Sequence, residues 1–83
     1  MDQGVLKYAE LVMNALFAAE FYAVLGDKPA ALDWLDRDVR AGDERADWFA
    51  RDPLLANIRE EPRFVKILDS IRARQKQRAA SSR

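Results

Sequence analysis

The fold is decided by residues 19–35, which read AEFYAVLGDKPAALDWL. Apolar residues recur three and four positions apart on both sides of Gly26, which is the spacing of amphipathic helices. Gly26 stands where a helix ends in the left-handed conformation, and Asp27 followed by Pro29 is a signal for the start of the next helix. Because so few residues join the two helices, the stretch predicts an antiparallel helical hairpin.

The helical pattern continues on both sides of this stretch. We expect the first helix over residues 5–25 and the second as far as Ala41, where Gly42 repeats the glycine signal. The chain shows no strand-like alternation of apolar and polar residues.

Short helices and a last helix are expected in the remaining chain. Asp43 is a capping residue for a third helix, and the dipeptides Asp52-Pro53 and Glu61-Pro62 each combine a cap with a first-turn proline. The last helix carries an apolar stripe at Phe64, Ile67, Leu68 and Ile71. The sequence therefore predicts an all-α fold, in which a helical hairpin is followed by short helices and a final capping helix.

We expect one domain over residues 1–74 and a basic, disordered tail over residues 75–83, because the apolar stripe ends at Ile71. Residues 1–62 carry a net charge of −6 and residues 63–83 a net charge of +6, so the neutral total hides a basic C-terminal region. Such a region attracts nucleic acid or acidic surfaces, or it is the cationic end of a helix, which the helix dipole favours. We favour the helix end and do not expect nucleic acid as a partner.

The composition excludes several classes of chemistry. The chain of 83 residues contains no Cys and no His, which excludes disulfides, cysteine or histidine metal sites and a Ser-His-Asp triad. Its most apolar run, residues 11–25, is shorter than the ~20 residues of a membrane span and contains Asn14 and Glu20. We therefore expect no catalytic residue, metal site, cofactor or membrane partner, and we expect a cytoplasmic setting because cysteine is absent.

The hairpin carries five residue types at a spacing found in a known helical repeat: Ala19, Tyr22, Gly26, Ala31 and Leu35. Residues 12–43 thus resemble one tetratricopeptide repeat. The small residues fit where two helices cross closely, and the glycine fits the turn. Four positions depart from that pattern, because large residues are replaced by Ala15 and Ala18, an alanine by Asp38 and the closing proline by Asp43.

The second half of the chain adds to this resemblance. Residues 48–64 read WFARDPLLANIREEPRF, which looks like the closing segment of many bacterial tetratricopeptide proteins. The matching residues are Asp52, Pro53, Arg59, Pro62, Arg63 and Phe64. The resemblance implies protein–protein binding and capping of a repeat array, without catalysis.

The resemblance also implies a peptide-binding face. The groove-facing positions of the first helix would be Met13, Leu16, Glu20 and Ala23, which share one side of a helix. Glu20 either contributes to such a groove or pairs with a nearby Arg or Lys, and the sequence leaves both interpretations open.

A different stripe of the first helix predicts self-association. The stripe is polar upstream and continues through Asn14, Phe17 and Phe21, so two Phe side chains are expected on the surface. We expect a homodimer in which first helices pack together. Two alternatives remain, namely the C-terminal cap of a longer repeat array and a nucleic-acid-associated protein that uses the basic tail.

The remaining charged and aromatic residues are expected to have structural roles. Three acidic residues are expected on the solvent side of the second helix: Asp33, Asp36 and Asp38. Asp33 is expected to pair with Arg37 four positions on, and Arg59 and Arg63 to bond carboxylates or carbonyls within the fold. Four large aromatic residues are expected in the core: Trp34, Trp48, Phe49 and Phe64.

Overall fold

A computed structural model describes residues 15–81 of the chain. Within this range the first helix, α1, covers residues 15–25. It is followed by α2 (Lys28–Arg40), α3 (Ala46–Arg51), a 3₁₀ helix (Pro53–Ile58) and α4 (Pro62–Ser81). The described residues contain no strand, and the predicted all-α fold with a hairpin, short helices and a last helix is confirmed.

The turn between α1 and α2 has the geometry that the sequence predicts. Gly26 has a φ of +84°, and its N–H donates to the Ala23 carbonyl at 3.1 Å. The Asp27 N–H donates to the Tyr22 carbonyl at 2.9 Å, which completes a Schellman motif. The Asp27 carboxylate then accepts from the Ala30 N–H at 3.3 Å and caps α2.

The turn after α2 repeats this motif. Gly42 has a φ of +116°, and its N–H donates to the Val39 carbonyl at 3.0 Å. The Asp43 N–H donates to the Asp38 carbonyl at 3.2 Å, so the loop folds back onto the last turn of α2. Asp43 also accepts from the Arg45 N–H at 3.2 Å, but Arg45, not Asp43, is the N-cap residue of α3.

The core lies where α1, α2, α3, the 3₁₀ helix and α4 meet. Small residues of α1 are fully buried, as the tetratricopeptide pattern requires where helices cross closely. Tyr22 is partly buried against this core. The buried cluster consists of Ala19, Ala23, Ala31, Leu32, Leu35, Val39, Ala46, Phe49, Leu55, Ile58, Phe64, Ile67, Leu68 and Ile71.

Helix α4 is longer than the sequence predicts. Residues 75–81 are helical, so the expectation of disorder is wrong for this part of the tail, and residues 82–83 lie outside the described range. Gln75 donates through Nε2 to the Glu44 carbonyl at 3.1 Å, and Arg78 forms an ion pair with the Glu44 carboxylate. The segment also consists largely of strong helix formers, which continue a helix without a buried stripe.

Candidate functional site

The outer side of α1 is an open apolar face. It consists of Phe17, Phe21, Val24 and Leu25, whose exposed fractions are 69%, 54%, 60% and 63%. The opposite side of the helix faces the core through small buried alanines. The predicted exposure of Phe17 and Phe21 is confirmed, whereas Asn14 lies outside the described residues.

One side chain of this face is held by a neighbour. The rings of Phe21 and Tyr22 meet edge to face, with their centroids 5.6 Å apart and an angle of 79° between their planes. Because Tyr22 packs against the core, this contact restricts the Phe21 ring. The open face therefore presents a partly ordered aromatic side chain.

The predicted groove face of α1 is covered by the chain itself. Ala23 is fully buried, and its carbonyl accepts from Asn57 Nδ2 in the 3₁₀ helix at 2.7 Å. Leu16 is partly buried against the core, and the Glu20 carboxyl meets that of Asp52. Met13 lies outside the described residues. The described part of this face is thus not an open groove for a peptide.

Asp52 joins α3 to the 3₁₀ helix. Its Oδ1 accepts from the Leu54 N–H at 3.0 Å, and Pro53 begins the 3₁₀ helix as the sequence predicts. Arg59 donates through Nη2 to the Asp52 carbonyl at 2.9 Å. Asp52 therefore contacts both ends of the 3₁₀ helix, the start through its cap and the end through the bond from Arg59.

The remaining closing-segment residues fix the start of α4. Pro62 is its first residue and Phe64 is buried in the core. Arg63 donates through Nη1 to the Asp33 carboxylate at 2.6 Å. The expectation that Arg59 and Arg63 bond within the fold is confirmed.

Asp33 and Asp36 lie on the outer side of α2 as expected, but Asp33 does not form the ion pair that the sequence predicts. Asp36 accepts from Arg40 Nε at 2.9 Å, while Asp33 pairs with α4 and not with Arg37. The Arg37 guanidinium lies 4.7 Å from the ring centroid of Trp34, so it makes a cation–π contact instead. The predicted pair between Asp33 and Arg37 is therefore wrong.

Asp38 is buried, which corrects the prediction that it faces solvent. Only 4% of it is exposed. A helix places a residue seven positions after Ala31 and three after Leu35 on the same side as both, and both are core residues. The sequence contained this signal, since Asp38 stands where the tetratricopeptide pattern has an alanine.

The predicted aromatic core is confirmed in part. Phe49 and Phe64 are buried and Trp34 is partly buried. Trp48 is 53% exposed, so its prediction as a core residue is wrong. The short helix α3 faces the core through Ala46 and Phe49, three positions apart, and Trp48 falls outside that side.

A groove between α2 and α4 is lined by four cationic side chains. Its volume is about 460 Å³, and it is lined by Asp36, Val39, Arg40, Arg63, Lys66, Ile67, Ser70 and Arg74. Arg40 and Arg63 are already paired with carboxylates of α2. The acidic side chains of α2 therefore partly neutralise this surface.

Three carboxyl groups face Arg45, namely those of Glu20, Asp38 and Asp43, and a fourth, that of Asp52, meets Glu20. The Asp43 carboxylate accepts two bonds from Arg45, at 2.9 Å from Nε and 2.8 Å from Nη2. Burial alone would raise the pKa of Asp43, but the bonds from Arg45 and Asp38 lower it to about 2. The same pairing raises the pKa of Arg45.

The pKa values of Asp38 and Glu20 shift in the opposite direction. Burial, together with the hydrogen bond and charge of Asp43, raises the pKa of Asp38 to about 8. Burial, together with the adjacent Asp52 carboxyl, raises the pKa of Glu20 to about 7. The Arg45 guanidinium opposes both shifts without cancelling them. We call Glu20, Asp38, Asp43, Asp52 and Arg45 the carboxyl cluster.

Two oxygens of the carboxyl cluster are buried without a donor: Asp38 Oδ2 and Asp52 Oδ2. Among residues 15–81, no group of three or more carboxylates is arranged to hold a metal ion. The raised pKa values of Glu20 and Asp38 favour retention of protons in the cluster. From the sequence, Glu20 is predicted as a candidate binding residue, whereas Asp38, Asp43 and Asp52 are given structural roles. Nothing in the spacing of these residues shows that the α2–α3 loop and the Asp52 cap lie near α1.

Comparisons of the chain with protein-family models, with curated proteins and with solved structures found no match. The tetratricopeptide resemblance therefore stays a prediction. Within residues 15–81, no helix combines the length and the apolar character that a membrane crossing demands.

Proposed function

We propose that the protein is a non-catalytic protein–protein interaction module of the tetratricopeptide kind, which forms a homodimer through α1. The observation that carries this proposal is the open apolar face of Phe17, Phe21, Val24 and Leu25. A contiguous patch of large apolar side chains costs free energy in water and marks an interaction site. The proposed function uses no cofactor and is placed in the cytoplasm.

A second copy of the chain suits this face because the face contains no charge. The one charged residue of the described part of α1, Glu20, is directed toward Asp52 in the carboxyl cluster. A two-fold interface brings the same patch from both copies together, so an uncharged apolar face is complementary to itself. Burial of one Phe side chain contributes ~1.5–3 kcal/mol, and each symmetric dimer buries every contributing side chain twice.

Two alternative functions remain for this chain. A preceding repeat of a longer array would cover the same side of α1, which would make the chain a C-terminal cap. Nucleic acid would instead use the basic C-terminal region from Arg72 to Arg83, but two of its cations already face acidic residues. Arg72 lies 3.3 Å from Asp47, and Arg78 pairs with Glu44, which supports the helix-end interpretation of the tail.

Cysteine cross-linking tests the proposed contact, because the native chain has no thiol. Val24→Cys places one thiol on the open face of α1, and Val65→Cys places a matched thiol on α4, where the native side chain is 47% exposed. We expect a short bis-maleimide to join two copies of the Val24→Cys chain. The Val65→Cys chain should remain almost entirely uncrosslinked.

Two results would contradict the proposal. Equal cross-linking of both variants would indicate random collision, and no cross-linking of Val24→Cys in a folded chain would leave α1 without a second copy. In the second case a preceding repeat becomes the better explanation of the apolar face. Salt-sensitive nucleic-acid binding that disappears on removal of the tail would favour the remaining alternative.

A further inference from the structure

The carboxyl cluster joins parts of the chain that are distant in sequence. Glu20 belongs to α1 and Asp52 caps the 3₁₀ helix, while Asp38 lies at the end of α2 and Asp43 in the loop that follows. The cluster therefore contains two carboxyl pairs, one between elements and one across a turn.

When all four carboxyls are ionised, neither pair contains a hydrogen atom that could form a hydrogen bond between its two carboxylates. Asp38 and Asp52 are each only 4% exposed, and each has an Oδ2 atom that no donor reaches. Asp38 interacts with the carboxyl of Asp43, and Asp52 with that of Glu20, and an ionised carboxyl has no hydrogen to donate. Two adjacent carboxylates repel each other, whereas a pair that shares one proton forms a hydrogen bond.

We propose that one proton shared by Glu20 and Asp52, and another shared by Asp38 and Asp43, clamp α1 and the α2–α3 loop onto the rest of the fold. Loss of these protons leaves two pairs of adjacent carboxylates in a partly dehydrated site, where the Arg45 guanidinium faces Glu20, Asp38 and Asp43. The clamp then loosens, and α1 is the element that the first pair releases.

The charged groups around the clamp do not replace the protons. Arg45 is the cation that faces both Glu20 and Asp38, and it is already bonded to both oxygens of Asp43. Arg59 lies beside Asp52 but donates to its backbone carbonyl. These are the charges that face the cluster from α1, α2, the loop and the 3₁₀ helix among the described residues.

The direction of the pH dependence follows from the pKa values. The pKa values of Glu20 and Asp38 rise from 4.5 and 3.8 to about 7 and about 8, so the folded chain binds more protons than the unfolded chain in this interval. The stability from these protons is complete below the unfolded values and is lost as the pH rises to about 8. Asp43 has a lowered pKa, so its contribution is lost only in acid, as the pH falls toward about 2.

The clamp also regulates the proposed interface, and this second step rests on the proposed function. Phe17 and Phe21 lie on the same helix as Glu20, and their side chains are exposed while the Glu20 carboxyl meets that of Asp52. A loosened α1 presents its apolar face less rigidly, so we expect the dimer to dissociate more readily above about pH 8.

Thermal unfolding against pH, at one protein concentration, tests the clamp. The double variant Glu20→Gln with Asp38→Asn keeps the shape and supplies an amide donor, but its amides do not titrate. We expect the melting temperature of the native chain to fall by more than ~5 °C between about pH 5.5 and about pH 8.5. The double variant should stay within ~2 °C over the same interval.

Asp33→Asn is the matched control, since Asp33 is an exposed carboxyl of α2 in an ion pair with Arg63. It should retain the pH slope of the native chain. Equal slopes in the native chain and the double variant would overturn the proposal.

Carbon-13 NMR titration of the side-chain carboxyls checks the same point in the native chain, without any variant. Glu20 and Asp38 should titrate well above the ordinary carboxyl range, and ordinary values for both would overturn the clamp. This titration requires no dimer. A chain that is monomeric but titrates in this way would contradict the proposed self-association and leave the clamp intact.

Discussion

At the scale of single residues, Asp38 places a carboxyl on the side of α2 that packs into the core. An alanine there would be buried without a desolvation penalty, whereas a carboxylate needs a partner or a proton. Asp43 supplies the partner because the Schellman turn at Gly42 folds the loop back over the helix end. Asp38 is thus tolerated in the core because the turn at Gly42, four positions later, brings Asp43 next to it.

Gly26 is the residue whose substitution tests the hairpin turn. It has a φ of +84°, and a Cβ added there would meet no atom within 4 Å, so the cost of a side chain is backbone strain alone. Gly26→Val should destabilise the domain by more than ~1 kcal/mol. Gly26→Asn is the matched control and should retain most of the stability, because Asn adopts the left-handed conformation more readily.

Chemical denaturation of the three chains provides the comparison. An unchanged midpoint for Gly26→Val would mean that the turn does not require the left-handed conformation, which would remove the assigned end of α1.

Residue-scale features were predictable where the cause is local. The positive φ of Gly26 and the cap at Asp27 depend only on neighbouring residues, and both were predicted. The surroundings of Asp38 and the contact between Glu20 and Asp52 depend on which segments return to α1. Polarity alone therefore placed Asp38 in solvent, and no local pattern connected Glu20 to a residue 32 positions away.

At the scale of elements, α1 has two unlike sides. Its inner side, including Ala23, is closed by the 3₁₀ helix through the bond from Asn57. Its outer side carries Phe17 and Phe21 and has no covering element among residues 15–81. The helical spacing was sufficient to predict the exposed Phe pair, but the short 3₁₀ helix that closes the inner side could not be placed by spacing.

Helix α4 provides the second test at this scale. Residues 75–81 add no buried apolar side chain, and their contacts to Glu44 are on the surface. Truncation after Arg74 should therefore leave the domain folded and cost at most ~1 kcal/mol, because exposed ion pairs contribute little. Circular dichroism with thermal unfolding measures both quantities.

Glu44→Ala serves as the control for this truncation. This substitution should lower the free energy of unfolding of the full chain by about 0.2–1 kcal/mol. In the truncated chain it should change this free energy very little, because the pair with Arg78 is already absent. A loss of helicity throughout the truncated domain would show that residues 75–81 belong to the core.

At the scale of the whole molecule, charge and apolar surface are separated. The acidic part of the chain, residues 1–62, includes the described part of α1 and the carboxyl cluster, and the basic part includes most of α4. Ion pairs such as Asp33 with Arg63 at 2.6 Å and Asp47 with Arg72 at 3.3 Å join the two parts. These charged side chains thus pair within one copy of the chain. The apolar face of α1 is therefore the surface that suits a second copy.

Light scattering across a concentration series measures this association most directly. The native chain should have the mass of a dimer, and Phe21→Asp should shift it toward the monomer, because a carboxylate enters an apolar contact on both sides of the two-fold axis. Val65→Asp is the control, since Val65 is exposed on α4, and it should remain a dimer. A native chain that is folded yet monomeric at high micromolar concentration, or equal dissociation by both substitutions, would contradict the proposed interface.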